Sequence, residues 1–290
     1  MRLFAVLITS LFIWAIQSCK EVLPARVAIV SVDSTYTIAS LPPAQSRVVL
    51  LEEYTGASCV NCPDGHRIVK EILTQFGSRV AAVGLHPKGN VLAKPVEEGN
   101  PDLDFTTEEA RLLANTFLVS SLPSGTIDRK QFDGSIVQGR FELKQRVESV
   151  INSDVKVNVK SRVYFDNKAG KSVLEIECTM LEDIAEDLNF SIMLIENKLD
   201  APQKSGSIVL DPYEHEHVLR KMLTNALGNS LKKATEDGGG YKKGRVFLKR
   251  IELEDFSLTK YKAENLYLVS FISNASTNEV MQTSQTKVKN

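Results

Sequence analysis

Two cysteines lie three residues apart in the stretch EEYTGASCVNCPDGH (52–66), and a proline directly follows the second one. A C-x-x-C pair can exchange disulfides, bind part of a metal site, or form a fixed cross-link. If a helix begins here, its unsatisfied N–H groups and the positive end of its dipole favour the thiolate form of Cys59. Cys59 would then attack a disulfide, and Cys62 would resolve the resulting mixed disulfide.

A metal site would need more ligands than this pair supplies. Zinc takes four ligands, and beyond the cysteines the chain offers His66 and His86 but no second C-x-x-C pair. His215 and His217 would share one face of a strand, but two ligands do not make a site. The acidic run NPDLDF (100–105) lacks the spacing of a calcium loop. We therefore expect no metal and no other cofactor, and both exchange and a fixed cross-link stay open.

The first residues predict an exported protein. Arg2 precedes an apolar run from Leu3 to Ile16, which is shorter than the roughly 20 residues of a membrane-spanning helix and typical of a signal peptide. We assign residues 1–18 to this signal peptide. The sequence IQSC that ends it resembles a lipobox, so we predict that Cys19 becomes the lipidated first residue and tethers the protein to a membrane. Disulfides persist in exported proteins, so the Cys59–Cys62 pair is expected to be oxidised.

Composition narrows the function classes further. The chain has 35 basic and 36 acidic residues and a net charge of −1, which gives no indication of nucleic-acid binding. Its length suggests two domains. The remaining cysteine, Cys178, lies in the alternating segment SVLEIECTM, where we expect a buried and inert thiol.

The elements that would position the cysteines alternate between strand and helix. We predict residues 19–46 to be the lipidated N-terminus, a tether and an ancillary strand. The segments that follow predict strands at 47–54 and 79–86 and a helix at 62–76. They also predict a helix with a capping box at Thr106 and Glu109, a strand directly after the proline of SLPSGTIDR, and a helix at 139–152. This order indicates an α/β domain over residues 47–152.

The hydrophobic period changes from 3.6 to 2 beyond that point. Six or so alternating or apolar segments, some separated by turn signals such as DNKAG and EDGGG, follow without a helical pattern. Residues 153–290 are therefore expected to form an all-β antiparallel sandwich.

Residues 47–152 resemble a thioredoxin-fold domain. The resemblance rests on Cys59 and Cys62, on Glu53 six residues before Cys59, and on Pro123 in SLPSGTIDR. It implies that Glu53 is a buried carboxylate that helps to deprotonate Cys62, and that Pro123 follows a cis peptide bond and packs against the disulfide. Ser58 stands where thioredoxins carry tryptophan, which weakens the case for a general reductase.

The stretches EEYTGASCVNCPDGH, SLPSGTIDR, HEHVLR and NLYLVSFISNASTNEVMQ together resemble the outer-membrane-protein-28-related lipoproteins of Bacteroidetes. This resemblance implies an outer-membrane lipoprotein but leaves its activity and the membrane face open. Two hypotheses follow. One is a thiol–disulfide oxidoreductase that acts on exported or outer-membrane proteins through Cys59, Cys62, Glu53 and Pro123. The other is a non-catalytic binding or envelope-structural lipoprotein with a fixed Cys59–Cys62 disulfide.

Overall fold

The computed structural model describes residues 31–289, apart from residues 98, 169, 232–239, 254, 257, 258 and 260. The predicted signal peptide and lipidation site Cys19 lie outside the described residues. The strands are β1 (Ser31–Thr37), β2 (Val49–Tyr54), β3 (Val80–Leu85), β4 (Ser124–Ile127), β5 (Val137–Gly139), β6 (Val157–Asp166), β7 (Lys171–Met180), β8 (Leu188–Glu196), β9 (Leu199–Ser205), β10 (Ile208–His215), β11 (Val218–Met222), β12 (Asn229–Ser230), β13 (Arg245–Glu252), β14 (Leu266–Asn274) and β15 (Val280–Lys287). The helices are α1 (Cys62–Phe76), α2 (Glu108–Thr116) and α3 (Leu143–Val150).

Three sheets contain these strands. A nine-stranded sheet has the order β15-β14-β8-β11-β3-β2-β4-β5, with β12 paired to β8. A four-stranded sheet has the order β1-β13-β7-β6. Strands β9 and β10 pair with each other in a separate two-stranded sheet, which we call the cover hairpin (residues 199–215). In the described part of the chain, no helix is both long enough and apolar enough to span a membrane.

The predicted fold class, an α/β thioredoxin-like domain followed by an all-β antiparallel sandwich, is wrong. The described chain is mostly β, and its strands at 49–54 and 80–85 do not form a clear α/β domain of their own. Instead β3 pairs in parallel with β11, with Val218 opposite Gly84, so one sheet runs through both predicted halves. Periodicity indicates that a strand is buried on both faces, but it does not identify the strand beside it.

A β-sandwich core lies between the four-stranded sheet and part of the large sheet. Its buried side chains come from β6, β7 and β13 on one side and from β8 and β14 on the other. Cys178 lies in this core as a free, buried thiol. Burial raises its pKa to about 12, so the thiol stays protonated, and the predicted burial is confirmed.

The helices cover both faces of the strand that leads to the cysteines. Every residue of β2 is buried. Helices α1 and α3 pack together on one apolar cluster, and α2 packs on another. Helix α1 matches its predicted range and has Pro63 in its first turn, where a missing N–H costs no hydrogen bond.

Two predicted helix starts need correction. Helix α2 is capped by Thr107, whose hydroxyl accepts a hydrogen bond from the Ala110 N–H at 3.1 Å, one residue later than the predicted cap at Thr106. Helix α3 begins at Leu143 rather than at 139, because residues 137–139 pair with β4 as strand β5.

The proposed domain division after residue 152 stays a prediction. Asn152 and Ser153 are exposed there, as a boundary requires. One core cluster nevertheless combines side chains from both sides of this point, including Leu50 and Leu113 with Met193 and Phe271.

Candidate functional site

The two cysteines form a disulfide at the start of α1. Cys59 lies in the loop after β2, Cys62 is the first helical residue, and their Cα atoms are 5.4 Å apart. No side chain caps this helix end at Asn61. Cys59 is only 2% exposed and Cys62 is fully buried. The predicted pairing is therefore present, but both residues lie beneath other parts of the chain.

Glu53 and Pro123 lie beside α1 at Gly65, one helical turn after Cys62. A Cβ added at Gly65 would lie 2.5 Å from Oε1 of Glu53 and 2.9 Å from Cβ of Pro123, so only glycine fits between them. The Leu122–Pro123 peptide bond is cis, as the resemblance implied. The structure brings Glu53, Pro123 and the cysteine helix together, while their catalytic roles stay predictions.

The carboxyl group of Glu53 is unusual because it is buried with one oxygen unsatisfied. Its Oε1 makes no hydrogen bond among the described residues. Burial penalises the charged form and raises the pKa of Glu53 to about 8. Most Glu53 side chains are consequently protonated at neutral pH and can exchange a proton close to physiological pH.

The cover hairpin lies over the disulfide loop. The backbone N–H of Lys204 donates to the carbonyl of Ala57 at 2.8 Å, and that of Gly206 donates to the carbonyl of Val60 at 3.1 Å. The side-chain amide of Gln203 donates to the carbonyl of Cys59 at 3.0 Å. No local pattern predicts this cover, because LDAPQKS (199–205) lacks a clear apolar alternation.

The segment after β3 covers the loop from another side. The N–H of Ser58 donates to the carbonyl of Leu92 at 3.1 Å. Gly56 faces this segment so closely that a Cβ there would lie 2.3 Å from Cα of Ala93. Together with the cover hairpin, these contacts explain why neither cysteine is exposed.

All four histidines of the chain line one cavity of about 590 Å³ beside Glu53. The ring centroids of His66 and His215 are 6.1 Å apart, and those of His86 and His215 are 6.2 Å apart. The two ring nitrogens of His66 form hydrogen bonds with Thr55 Oγ1 and with the Tyr213 hydroxyl, each at 2.7 Å. Tyr213 thus connects the cover hairpin to the helix that carries Cys62.

Burial keeps these imidazoles neutral. It lowers the pKa of His66 to about 3 and that of His215 and His217 to about 4, and it holds the pKa of His86 well below its usual range. Neither ring nitrogen of His86 or His215 makes a well-formed hydrogen bond within the described residues. Nearby carbonyls of Gly84 and Ala201 oppose the fall in pKa only in part.

The strand expected to carry both His215 and His217 ends at His215. His217 has a φ of 58° and separates β10 from β11, so the two rings do not share one strand face. Within the described residues, no group of three or more His, Cys, Asp or Glu side chains is arranged to hold a metal ion. This includes the described part of the acidic run 100–105.

The residues that connect the disulfide to the rest of the site are poorly indicated by the sequence. His66 and His86 fit only a zinc set by residue type, although His66 lies four residues after Cys62 on the same helix. Gln203 and Tyr213 carried no such signal. They reach the site only because the cover hairpin folds back across more than 130 residues of sequence onto α1 and its loop.

Comparison with solved structures shows a similar fold in two proteins. HBP35 of Porphyromonas gingivalis matches with a TM-score of 0.62 and 15% identity, over 84% of this chain and 76% of that chain. Protein AGR_C_4864 from Agrobacterium tumefaciens matches with a TM-score of 0.51 and 12% identity, over 85% of this chain and 97% of that chain. At these identities the likeness concerns the fold alone.

A third solved structure, a domain of the outer membrane lipoprotein Omp28 from Porphyromonas gingivalis, is 20% identical with a TM-score of 0.30. It covers 47% of this chain and 90% of that domain, and the spatial match is too low to support an argument. Comparison with curated proteins gives no match.

The family model described as outer membrane protein Omp28 matches residues 110–290, which is more than half of the chain. The match includes Pro123 and the cover hairpin but not the Cys59–Cys62 loop. It agrees with the predicted outer-membrane location and leaves the lipid on Cys19 a prediction. The chain belongs to the Omp28 family of outer membrane proteins.

Proposed function

We propose that this outer membrane protein is a lipoprotein, anchored through Cys19, that exchanges disulfides with exported or outer-membrane proteins. Cys59 is the attacking sulfur and Cys62 the resolving sulfur. Glu53 transfers the proton of Cys62, and Leu122–Pro123 presents backbone to the substrate. No cofactor is required, because the cysteine pair itself carries the two electrons.

The observation that carries this proposal is the buried carboxyl group of Glu53, whose Oε1 has no hydrogen-bond partner among the described residues. Burying a carboxyl with an unsatisfied oxygen costs folding free energy, and a fixed disulfide gains nothing from it. A group with a pKa of about 8, one helical turn from Cys62, is suited to exchange a proton with that sulfur. Strongly shifted carboxyl groups beside a redox-active residue favour a catalytic role.

The exchange balances without another reactant. The Cys59 thiolate attacks one sulfur of a substrate disulfide, and the other substrate sulfur leaves as a thiolate. Cys62 gives its proton to the Glu53 carboxylate and attacks the sulfur of Cys59, which releases the second substrate thiolate. The substrate gains two electrons, and the Cys59–Cys62 disulfide forms. The reverse sequence oxidises a substrate dithiol, and Glu53 then returns its proton to Cys62.

The alternative function is a binding or envelope-structural lipoprotein with a fixed disulfide. One observation favours it: the cover hairpin and the segment after β3 leave Cys59 and Cys62 buried. A disulfide that no substrate reaches would serve only to fix the loop to the start of α1.

Trapping separates the two functions. Replacing Cys62→Ser removes the resolving sulfur, so Cys59 should accumulate in mixed disulfides with exported proteins in cells. The matched control is Cys59→Ser in the same background, which should trap far less. Cys178→Ser should behave as the wild type, because this thiol is buried far from the pair in sequence and in a different core. No trapped partner, together with a reduction potential below about −300 mV, would establish the fixed disulfide instead.

The anchor has its own test. Replacing Cys19→Ser should move the protein from the membrane fraction to the soluble fraction, since stable anchoring needs more than one acyl chain. Mass spectrometry of the wild-type N-terminus should show the added acyl groups. A wild-type protein that carries no lipid mass would contradict the anchor without affecting the exchange proposal.

A further inference from the structure

Strand β9 and the turn that follows it donate backbone hydrogen bonds to the disulfide loop. The donors are the N–H of Lys204 in β9 and the N–H of Gly206, the first residue of the turn. Their acceptors are the carbonyls of Ala57 and Val60. Backbone carbonyls that accept such hydrogen bonds can also accept them from another extended polypeptide.

Gln203 extends the contact to the cysteine itself. Its side-chain amide donates to the carbonyls of Gly56 at 3.2 Å and Cys59 at 3.0 Å, and the residue is completely buried. The backbone acceptors on the disulfide loop are therefore occupied by one segment of the same chain. This segment covers the loop on the side of the cover hairpin, while the residues after β3 cover it from another side.

The residues that flank the cover hairpin have unusual backbone angles. Lys198 and His217 flank it with φ values of 57° and 58°, which are uncommon for residues other than glycine. Its base is held by a small apolar cluster of Phe105, Ala201 and Val218. A two-stranded hairpin is marginally stable alone, so its hold on the loop depends strongly on the hydrogen bonds of residues 203–206.

We propose that the carbonyls of Gly56, Ala57, Cys59 and Val60 form a binding edge for an extended polypeptide, and that β9 occupies this edge until a substrate segment replaces it. The inference rests on the proposed exchange function and specifies its substrate. That substrate is an unfolded or extended cysteine-containing segment of an exported protein. An extended segment can supply main-chain donors to these carbonyls as residues 204 and 206 do.

The surface around this edge suits such a segment. Val60 is 42% exposed on the loop, and Ile208 and Val209 are 59% and 51% exposed on the neighbouring strand of the cover hairpin. Val209 lies opposite Lys204 in the hairpin register, beside the residues that donate to the loop. Once residues 203–206 leave, exposed apolar side chains next to the vacated backbone acceptors would bind extended chains of varied sequence, because the main chain supplies most of the hydrogen bonds.

The first test opens the edge without touching the cysteines. Lys204→Pro removes the N–H that donates to Ala57, and this N–H points away from β10, so the hairpin ladder is kept. Lys204→Ala is the matched control because it retains the N–H. Gln203→Ala removes the contact to Cys59 by an independent route. Circular dichroism and thermal melting verify that each variant is folded.

The readout is the rate at which dithiothreitol reduces the Cys59–Cys62 disulfide, measured by alkylation and mass spectrometry. We expect Lys204→Pro and Gln203→Ala to be reduced about tenfold faster than the wild type, as expected for the loss of one or two hydrogen bonds. Lys204→Ala should react at the wild-type rate. Equal rates for all four proteins would overturn the claim that β9 controls access.

The second test asks what the opened edge binds. A fluorescent peptide of residues 199–207, LDAPQKSGS, should bind the oxidised Lys204→Pro protein, whereas a peptide with proline at the position of Lys204 should bind more weakly. The wild type should bind neither, because its own β9 is present at high effective concentration. Absence of binding to the opened variant would overturn the polypeptide edge.

These outcomes are separable from those of the proposed function. Faster reduction and peptide binding, combined with no trapped partner for Cys62→Ser in cells, would retain the binding edge and remove the exchange function. Trapped partners combined with unchanged reduction rates would retain exchange and remove the role of β9.

Discussion

Glu52 and Glu53 are consecutive residues of β2, and they have opposite surroundings on the two faces of the sheet. Glu52 accepts hydrogen bonds from Arg129 Nε and Nη2 at 3.0 and 2.7 Å and from the Thr126 hydroxyl at 2.7 Å. Glu53 is also buried, but its Oε1 has no partner among the described residues. The carboxyl group of Glu52 therefore stabilises the fold, and that of Glu53 is available for proton transfer.

Replacing Glu53→Gln tests the proton transfer. A glutamine keeps the size of the side chain but cannot exchange a proton with Cys62. We expect the rate of disulfide exchange with a model peptide to fall by about a hundredfold, and its pH dependence near pH 8 to disappear. Stopped-flow kinetics across pH 6 to 9 measures both. A variant that keeps the wild-type rate and profile would exclude Glu53 as the proton-transfer group.

Breaking the Glu52–Arg129 pair should destabilise the protein. Both residues are almost completely buried, and the guanidinium lies between the rings of Phe117 and Phe271 at 5.2 and 5.1 Å. Arg129→Met should lower the free energy of unfolding by about 3–5 kcal/mol, because it leaves an unpaired buried carboxylate.

The double variant Glu52→Gln/Arg129→Met provides the control for this pair. It removes both charges and keeps an acceptor for the Thr126 hydroxyl, so it should be more stable than Arg129→Met alone in urea unfolding. If the double variant loses as much unfolding free energy as Glu52→Gln and Arg129→Met lose together when measured singly, the two residues are not coupled.

The pH dependence of stability should have a maximum near pH 7. The native pKa values of the four histidines are lowered, so below pH 6.5 the unfolded chain binds protons that the native chain rejects, and stability falls with acid. The native pKa of Glu53 is raised to about 8, so its contribution is lost as the pH rises from 4.5 through 8. Between pH 4.5 and 6.5 the four histidines lower the stability as the pH falls and the single carboxyl of Glu53 opposes them. The net stability therefore falls with acid.

Urea unfolding at a series of pH values measures this balance. We expect the free energy of unfolding to fall by more than about 2 kcal/mol between pH 6.5 and 4.5. Glu53→Gln should flatten the loss on the alkaline side and leave most of the acidic loss unchanged. Constant stability between pH 4.5 and 6.5 would mean that the histidines are not held neutral in the native protein.

Cleavage at the predicted domain boundary should not separate the two halves. A protease site inserted at 152–154 lies in exposed chain. The nicked halves should co-elute and melt together, because β3 pairs with β11 and Leu50 shares a core with Met193 and Phe271. Size-exclusion chromatography of the nicked protein checks this. Two folded fragments that elute separately would establish independent domains.

Several features of this protein could be predicted from local sequence alone. The start and end of α1 follow from Pro63 and Gly77, and the inertness of Cys178 follows from its place in an alternating strand. The Cys59–Cys62 pairing could be predicted because three residues of separation at a helix start bring the two sulfurs together. These are short-range properties, determined by a few neighbouring residues and by the backbone geometry of one element.

The remaining features depend on contacts between residues far apart in the chain. Nothing local to β3 or β11 indicates that they pair, so the predicted α/β domain was wrong. Gln203 reaches the carbonyl of Cys59, and Tyr213 reaches His66, only because the cover hairpin folds back onto the disulfide loop. Periodicity and composition indicate which face of a strand is buried, but they do not identify its partner. The tertiary structure therefore decided both the shared sheet and the burial of the disulfide.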